Sequence, residues 1–172
     1  VGSKGVMFMT VTKPQQKGDK TRAVGAKLIE IRSVGDIYDV CSAATEGYGE
    51  ANEGVMVPPF DHAGIIEGQA TVALEIERQL PDGKKPDFVF LPVGGGGLSG
   101  GVTQYFTALG WKTAYRFIEP QGAASLKGSL EAGKRIKLSQ VDNFVDGAAV
   151  AEIGKENFKL LKGFDKNIVI TV

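Results

Sequence analysis

Two hydrophobic rhythms take turns along the chain, one with a two-residue period or an unbroken apolar run, the other with helical spacing. Gly5 to Thr10 (Gly-Val-Met-Phe-Met-Thr) is an apolar run that suits a buried strand. Thr12-Lys13-Pro14 opens a polar helix through Val24, with Pro14 near its first position and Gly25 closing it. Ala26 to Arg32 predicts the next strand, and after Gly35 the side chain of Asp36 can cap a helix to about Asn52, whose last turns Gly47 and Gly49 weaken. Val55-Met56-Val57 predicts a third strand before Pro58-Pro59, the strongest break in the chain and a domain crossing. Beyond it, Ile66, Ala70, Ala73, Ile76 and Leu80 predict an amphipathic helix over Ala63 to Leu80, followed by a loop through Pro81-Asp82-Gly83 and Lys84-Lys85-Pro86. Phe88 to Val93 reads as a buried strand, and Leu98, Val102, Phe106 and Leu109 mark one face of the helix after it. Thr113 to Ile118 and Ala123 to Ala132 add a further strand and helix. The fold class that follows is α/β, with mainly parallel, twisted sheets and helices on both faces. Ligands of such sheets bind at the carboxyl ends of the strands.

One such end carries Val93-Gly94-Gly95-Gly96-Gly97-Leu98-Ser99-Gly100-Gly101. Successive residues without a Cβ let several backbone N–H groups converge on one anion, and the helix that follows adds the positive end of its dipole. The tract therefore reads as a phosphate cradle for a phosphorylated cofactor or nucleotide. A close-packed turn with no ligand is the plain alternative. Read literally, Gly95-Gly96-Gly97-Leu98-Ser99-Gly100 also satisfies G-x-G-x-x-G, and Glu119 ends the next strand about twenty residues on, as in a dinucleotide site. Any glycine tract meets that pattern, so a nucleotide-binding (Rossmann-like) module stays as a second reading.

Composition narrows the rest. Of 172 residues, 42% are hydrophobic and 23% charged, and twenty basic residues balance twenty acidic ones. No basic stripe supplies the charge that nucleic-acid binding needs, and no apolar run approaches the roughly eighteen residues of a membrane span. A soluble intracellular protein is expected. Cys41 is the only cysteine, which excludes an internal disulfide and a thiolate metal cluster; with Ile37, Val40, Ala44 and Tyr48 it forms an apolar helical face, the setting of a core thiol. His62, the only histidine, reads as solvated or as a helix-start residue. One imidazole makes neither a His-rich metal site nor an identifiable catalytic triad.

Several segments together carry a resemblance. Leu91 to Gly101 resembles the phosphate loop of fold-type-II pyridoxal-phosphate enzymes, the tryptophan synthase β-like fold. Thr12-Lys13-Pro14-Gln15-Gln16-Lys17, Pro59-Phe60-Asp61, Ile66 to Ile76, Glu119-Pro120-Gln121-Gly122-Ala123-Ala124-Ser125 and Phe144-Val145-Asp146-Gly147-Ala148-Ala149-Val150 resemble, in that order, the threonine dehydratases. The glycine loop alone also suits serine racemase, serine dehydratase and cysteine synthase, whereas the Phe144 to Val150 segment favours the biosynthetic threonine enzymes.

The resemblance implies pyridoxal 5′-phosphate as cofactor and conversion of threonine to 2-oxobutanoate and ammonia, a step of isoleucine biosynthesis. It implies that the N–H groups of Gly94, Gly95, Gly96, Gly97 and Leu98 hold the cofactor phosphate and that Asp146, Gly147 and Ala148 line the pocket near the ring. Glu119 matches a position that in some relatives helps bind a divalent cation, while Ser125 stands where those relatives carry a carboxylate. Residues 1–57 would be part of a small domain and 58–172 the first part of a large one. The family's Schiff-base lysine, in a Ser-Phe-Lys-x-Arg-Gly context, and its Ser-x-Gly-Asn-His substrate loop have no counterpart in this sequence, so no catalytic residue is expected in it. Lys159, in Asn157-Phe158-Lys159, lacks the following Arg-Gly and reads as a solvated helix lysine. The chain would thus be the central, incomplete portion of a homo-oligomeric enzyme acting on threonine or serine, in the cytoplasm or in an organelle matrix or stroma. An inactive structural fragment is the remaining alternative.

Overall fold

The computed structural model describes residues 4–11, 14–32, 37–81 and 83–172. Val1-Gly2-Ser3, the motif residues Thr12 and Lys13, Gly35, the expected cap Asp36 and the turn residue Asp82 lie outside the described residues. Two compact units divide the chain, residues 1–57 and 58–172.

In the first unit, strand β1 (Val6–Thr10) pairs in parallel with β2 (Lys27–Ile31), Val6 opposite Lys27 and Thr10 opposite Ile31. A parallel pair needs a crossover, and α1 (Gln15–Ala23) supplies it. Pro14 stands just ahead of the helix, where its missing N–H costs nothing. Gly25 takes φ of 81° in the turn that follows, a conformation most side chains resist. Helix α2 (Ile37–Ala51) lays Tyr48 edge-on to Phe8 of β1, with ring centroids 5.5 Å apart. Cys41 is half-buried on this helix, and burial pushes its thiol up from the ordinary value.

Val55-Met56-Val57 is not the expected strand. The segment has no ladder, and Val55 and Val57 are exposed by 90% and 68%. The segment runs into two prolines, which have no N–H to give a ladder, and it pairs with no described strand.

The second unit is built on a three-stranded parallel sheet, β3 (Phe88–Pro92), β4 (Ala114–Glu119) and β5 (Val169–Thr171), in that spatial order. Phe88 pairs with Ala114 and Pro92 with Ile118, while Phe117 pairs with Val169. Along β4 the buried residues alternate, Tyr115, Phe117 and Glu119 pointing into the core. Leu91, Val93, Val102, Phe106, Leu126, Ile153 and Leu161 fill the same core. Helices α3 (Ala63–Gln79) and α4 (Gly97–Ala108) pack face to face, and α5 (Ser125–Ala132) and α6 (Lys155–Leu161) complete the helical cover. Gly101 lets α3 and α4 approach, since a Cβ there would lie 2.5 Å from the Ile66 carbonyl.

Candidate functional site

Strand β3 delivers the chain to the glycine tract. Val93 N–H still donates to the Ile118 carbonyl at 2.9 Å, which fixes the end of the sheet. Gly94 and Gly95 then turn the chain, and Gly96, at φ of 89°, is the N-cap of α4. A glycine cap has no side chain to offer, so the first turn of α4 is left with its orphan donors. The N–H groups of Gly94, Gly95, Gly96, Gly97 and Leu98 donate to no acceptor among the described residues. Gly95, Gly96 and Gly97 are nonetheless buried. Buried backbone donors are almost always paired with protein, water or a ligand, so this group calls for an acceptor from outside the chain. Several consecutive N–H groups without protein acceptors at the positive end of a twelve-residue helix suit an oxyanion, and a phosphate fits this donor set.

The glycines themselves have packing reasons. A Cβ on Gly95 would collide with the Phe60 ring, one on Gly96 would lie 2.9 Å from Asn157 Cβ, and one on Gly94 would lie 3.1 Å from Ala148 Cα. The geometry therefore shows the close-packed turn directly, and the phosphate cradle is a reading of the same residues. What separates them is the set of unpaired amides, not the glycine count.

A second loop braces the turn. The Asp61 carboxylate accepts from the N–H groups of Lys155 (2.7 Å), Glu156 (2.8 Å) and Asn157 (3.3 Å), capping α6 from across the sequence. Gly154 has no Cβ because that carboxylate lies against it. Asn157 in turn donates Nδ2–H to the carbonyls of Phe60 (3.0 Å) and Gly95 (2.9 Å). Asp61 stands in a motif legible in the sequence, but nothing local marks it as the cap of a helix some ninety residues on. Asn157 carries no sequence signal at all.

The other candidate residues fall as follows. Gly147 and Ala148 pack against Gly94, in a turn closed by Ala148 N–H to the Val145 carbonyl at 2.9 Å; Asp146 belongs to the same turn. Glu119 is wholly buried at the end of β4, and its two oxygens accept from Leu126 N–H (2.8 Å) and Lys127 N–H (2.9 Å) at the start of α5. Burial pushes its carboxyl up to about 7, against the opposing pull of the Lys127 and Leu126 amides and the Lys127 charge. A side chain so enclosed has no oxygen turned to solvent for a ribose hydroxyl, which weakens the dinucleotide reading. Ser125 is also buried, its hydroxyl oxygen without a partner, and no group of three or more His, Cys, Asp or Glu gathers among the described residues. His62 caps α3, its Nδ1 accepting from Gly64 N–H at 3.2 Å. Lys159 is exposed and paired with Glu156 at 2.7 Å. No helix among the described residues is long and apolar enough to cross a membrane.

Comparison with known proteins gives these features a context. The family model described as "Pyridoxal-phosphate dependent enzyme" matches residues 1–172. The biosynthetic L-threonine dehydratase IlvA of Corynebacterium glutamicum is 39% identical over 163 residues, 94% of this chain and 37% of that protein. A threonine dehydratase of Nicotiana attenuata is 41% identical over 164 residues, 95% of this chain and 26% of that protein. The solved structure of the processed form of threonine deaminase isoform 2 from Solanum lycopersicum superposes with a TM-score of 0.84 at 38% identity, covering 98% of this chain and 47% of that one. The chain thus spans less than half the length of each of these relatives. With a family model matched from end to end, an α/β fold of parallel sheets and a strand-to-helix turn whose amides lack partners, this chain belongs to the pyridoxal-phosphate dependent enzymes.

Proposed function

We propose that this chain supplies the cofactor-phosphate site of an enzyme that converts L-threonine to 2-oxobutanoate and ammonia. The observation that carries the reading is the run of unpaired, largely buried amides at Gly94, Gly95, Gly96, Gly97 and Leu98 ahead of α4. Those N–H groups hold the cofactor phosphate, and the α4 dipole adds to their attraction for a dianion. Pyridoxal 5′-phosphate, when bound, supplies an electron sink for the carbanion formed at the substrate α-carbon. The protein's part here is to anchor that group by its phosphate and so to fix the ring in place. Gly147 and Ala148, packed beside Gly94, and Asp146 in the same turn would lie on the ring side of the cofactor. Threonine as substrate rests on the names of the relatives, threonine dehydratases and a threonine deaminase. Residues 1–57 form part of a small domain and 58–172 the first part of a large one.

These residues carry no match to the family's Schiff-base lysine motif. Lys159 does not substitute for it, being exposed and held by Glu156. Equilibrium dialysis tests the reading with three probes. Pyridoxal 5′-phosphate should bind to the chain, pyridoxal without the phosphate should bind far more weakly, and NAD should not bind. Borohydride treatment should trap no adduct on any lysine, and threonine should not be turned over. Equal affinity for pyridoxal and its phosphate would contradict the assignment, and tight NAD binding would favour the nucleotide module.

A further inference from the structure

The Gly95–Gly96 peptide is gripped from one side. Its carbonyl oxygen accepts both Gly154 N–H (3.1 Å) and Asn157 Nδ2–H (2.9 Å), while its N–H has no protein acceptor among the described residues. The peptide is trans, so the carbonyl and the N–H point in opposite directions. Whatever holds the Gly95 oxygen therefore aims the Gly96 N–H the other way. Asn157 is well suited to that task. It is fully buried, it sits in the first turn of α6 where Asp61 fixes its backbone, and its second Nδ2–H binds the Phe60 carbonyl. Its Oδ1 has no partner and faces Gly100, where a Cβ would lie 3.1 Å away. A residue kept only to fill space would not need a buried amide with one end unpaired. The two carbonyls, Phe60 and Gly95, also fix which way the amide is turned.

We infer that Asn157 is a positioning residue for the phosphate: by holding the Gly95 carbonyl it keeps the Gly96 N–H directed at the bound oxyanion. This rests on the phosphate-site reading above. Asp61 acts one step further back, by setting α6 so that the Asn157 side chain reaches the turn.

The test uses the whole 172-residue chain and its Asn157→Ala variant, with inorganic phosphate, pyridoxal 5′-phosphate and pyridoxal as probes. The variant should bind inorganic phosphate and pyridoxal 5′-phosphate ~10-fold more weakly, the effect of losing one well-placed hydrogen bond. Its affinity for pyridoxal should not change, which a general loosening of the fold would not reproduce. Equal phosphate affinity in both proteins overturns the role of Asn157 and leaves the phosphate site standing; failure of the unaltered chain to bind phosphate overturns both. Should the variant not fold, amide hydrogen exchange in the unaltered chain decides. Phosphate should slow exchange at Gly96, and an unchanged rate there sinks the inference.

Discussion

Helices α4 and α6 begin beside one another around Asn157, yet their first turns are completed in opposite ways. At α6, three backbone N–H groups converge on the Asp61 carboxylate, which arrives from a loop more than ninety residues earlier in the chain. At α4, the cap is Gly96, and the N–H groups of Gly94 to Leu98 meet no acceptor among the described residues. Helix α5 follows the α6 pattern, with Glu119 taking Leu126 and Lys127. The fold thus brings a carboxylate to a helix start where the protein itself must satisfy it. Leaving α4 open, in a turn packed tightly enough to require glycine at positions 95 and 96, suits an acceptor that comes and goes with a ligand.

The comparison can be pressed hardest at Glu119. Its carboxyl releases its proton near 7 in the folded chain but near 4.5 when unfolded, so the folded state binds more protons between those values. The associated stabilisation is present below about pH 4.5 and is lost as pH rises through about 7, a change on the order of 3 kcal/mol. Urea denaturation across that window should show the slope, and Glu119→Gln should flatten it; an identical slope in both proteins contradicts the account. Gly95→Ala comes next, because its Cβ would meet the Phe60 ring, and overpacking of this kind costs roughly 2–3 kcal/mol. Asp61→Ala should cost about 2 kcal/mol by uncapping α6. If its denaturation midpoint stays at the wild-type value, the contrast between the two helix starts loses its energetic content. The smallest effect is of opposite sign. Gly68 lies in α3 with open space around its missing Cβ, so Gly68→Ala should stabilise the chain by ~0.5–1 kcal/mol, as a rise in melting temperature.

The sequence was legible where structure is local. Apolar periods and proline or glycine breaks located β1 to β4 and α1 to α5, since burial of one face per element imposes those periods. Val55 to Val57 failed because a strand needs a neighbour, which composition does not provide. Strand β5, three residues long, was missed for the converse reason: β4 recruits it through pairing at Phe117, Ile118 and Glu119. The glycine tract suits a turn and an anion site alike, and the sequence alone does not separate the two. Asp61 and Asn157 act across long stretches of chain, so no window of neighbouring residues could reveal what they hold.

The most direct test is a titration of the isotopically labelled chain with inorganic phosphate, following backbone amide resonances. The account predicts saturable shifts concentrated at Gly94, Gly95, Gly96, Gly97 and Leu98, reproduced by pyridoxal 5′-phosphate and absent with pyridoxal. Saturable shifts elsewhere, with those five amides unmoved, would contradict it.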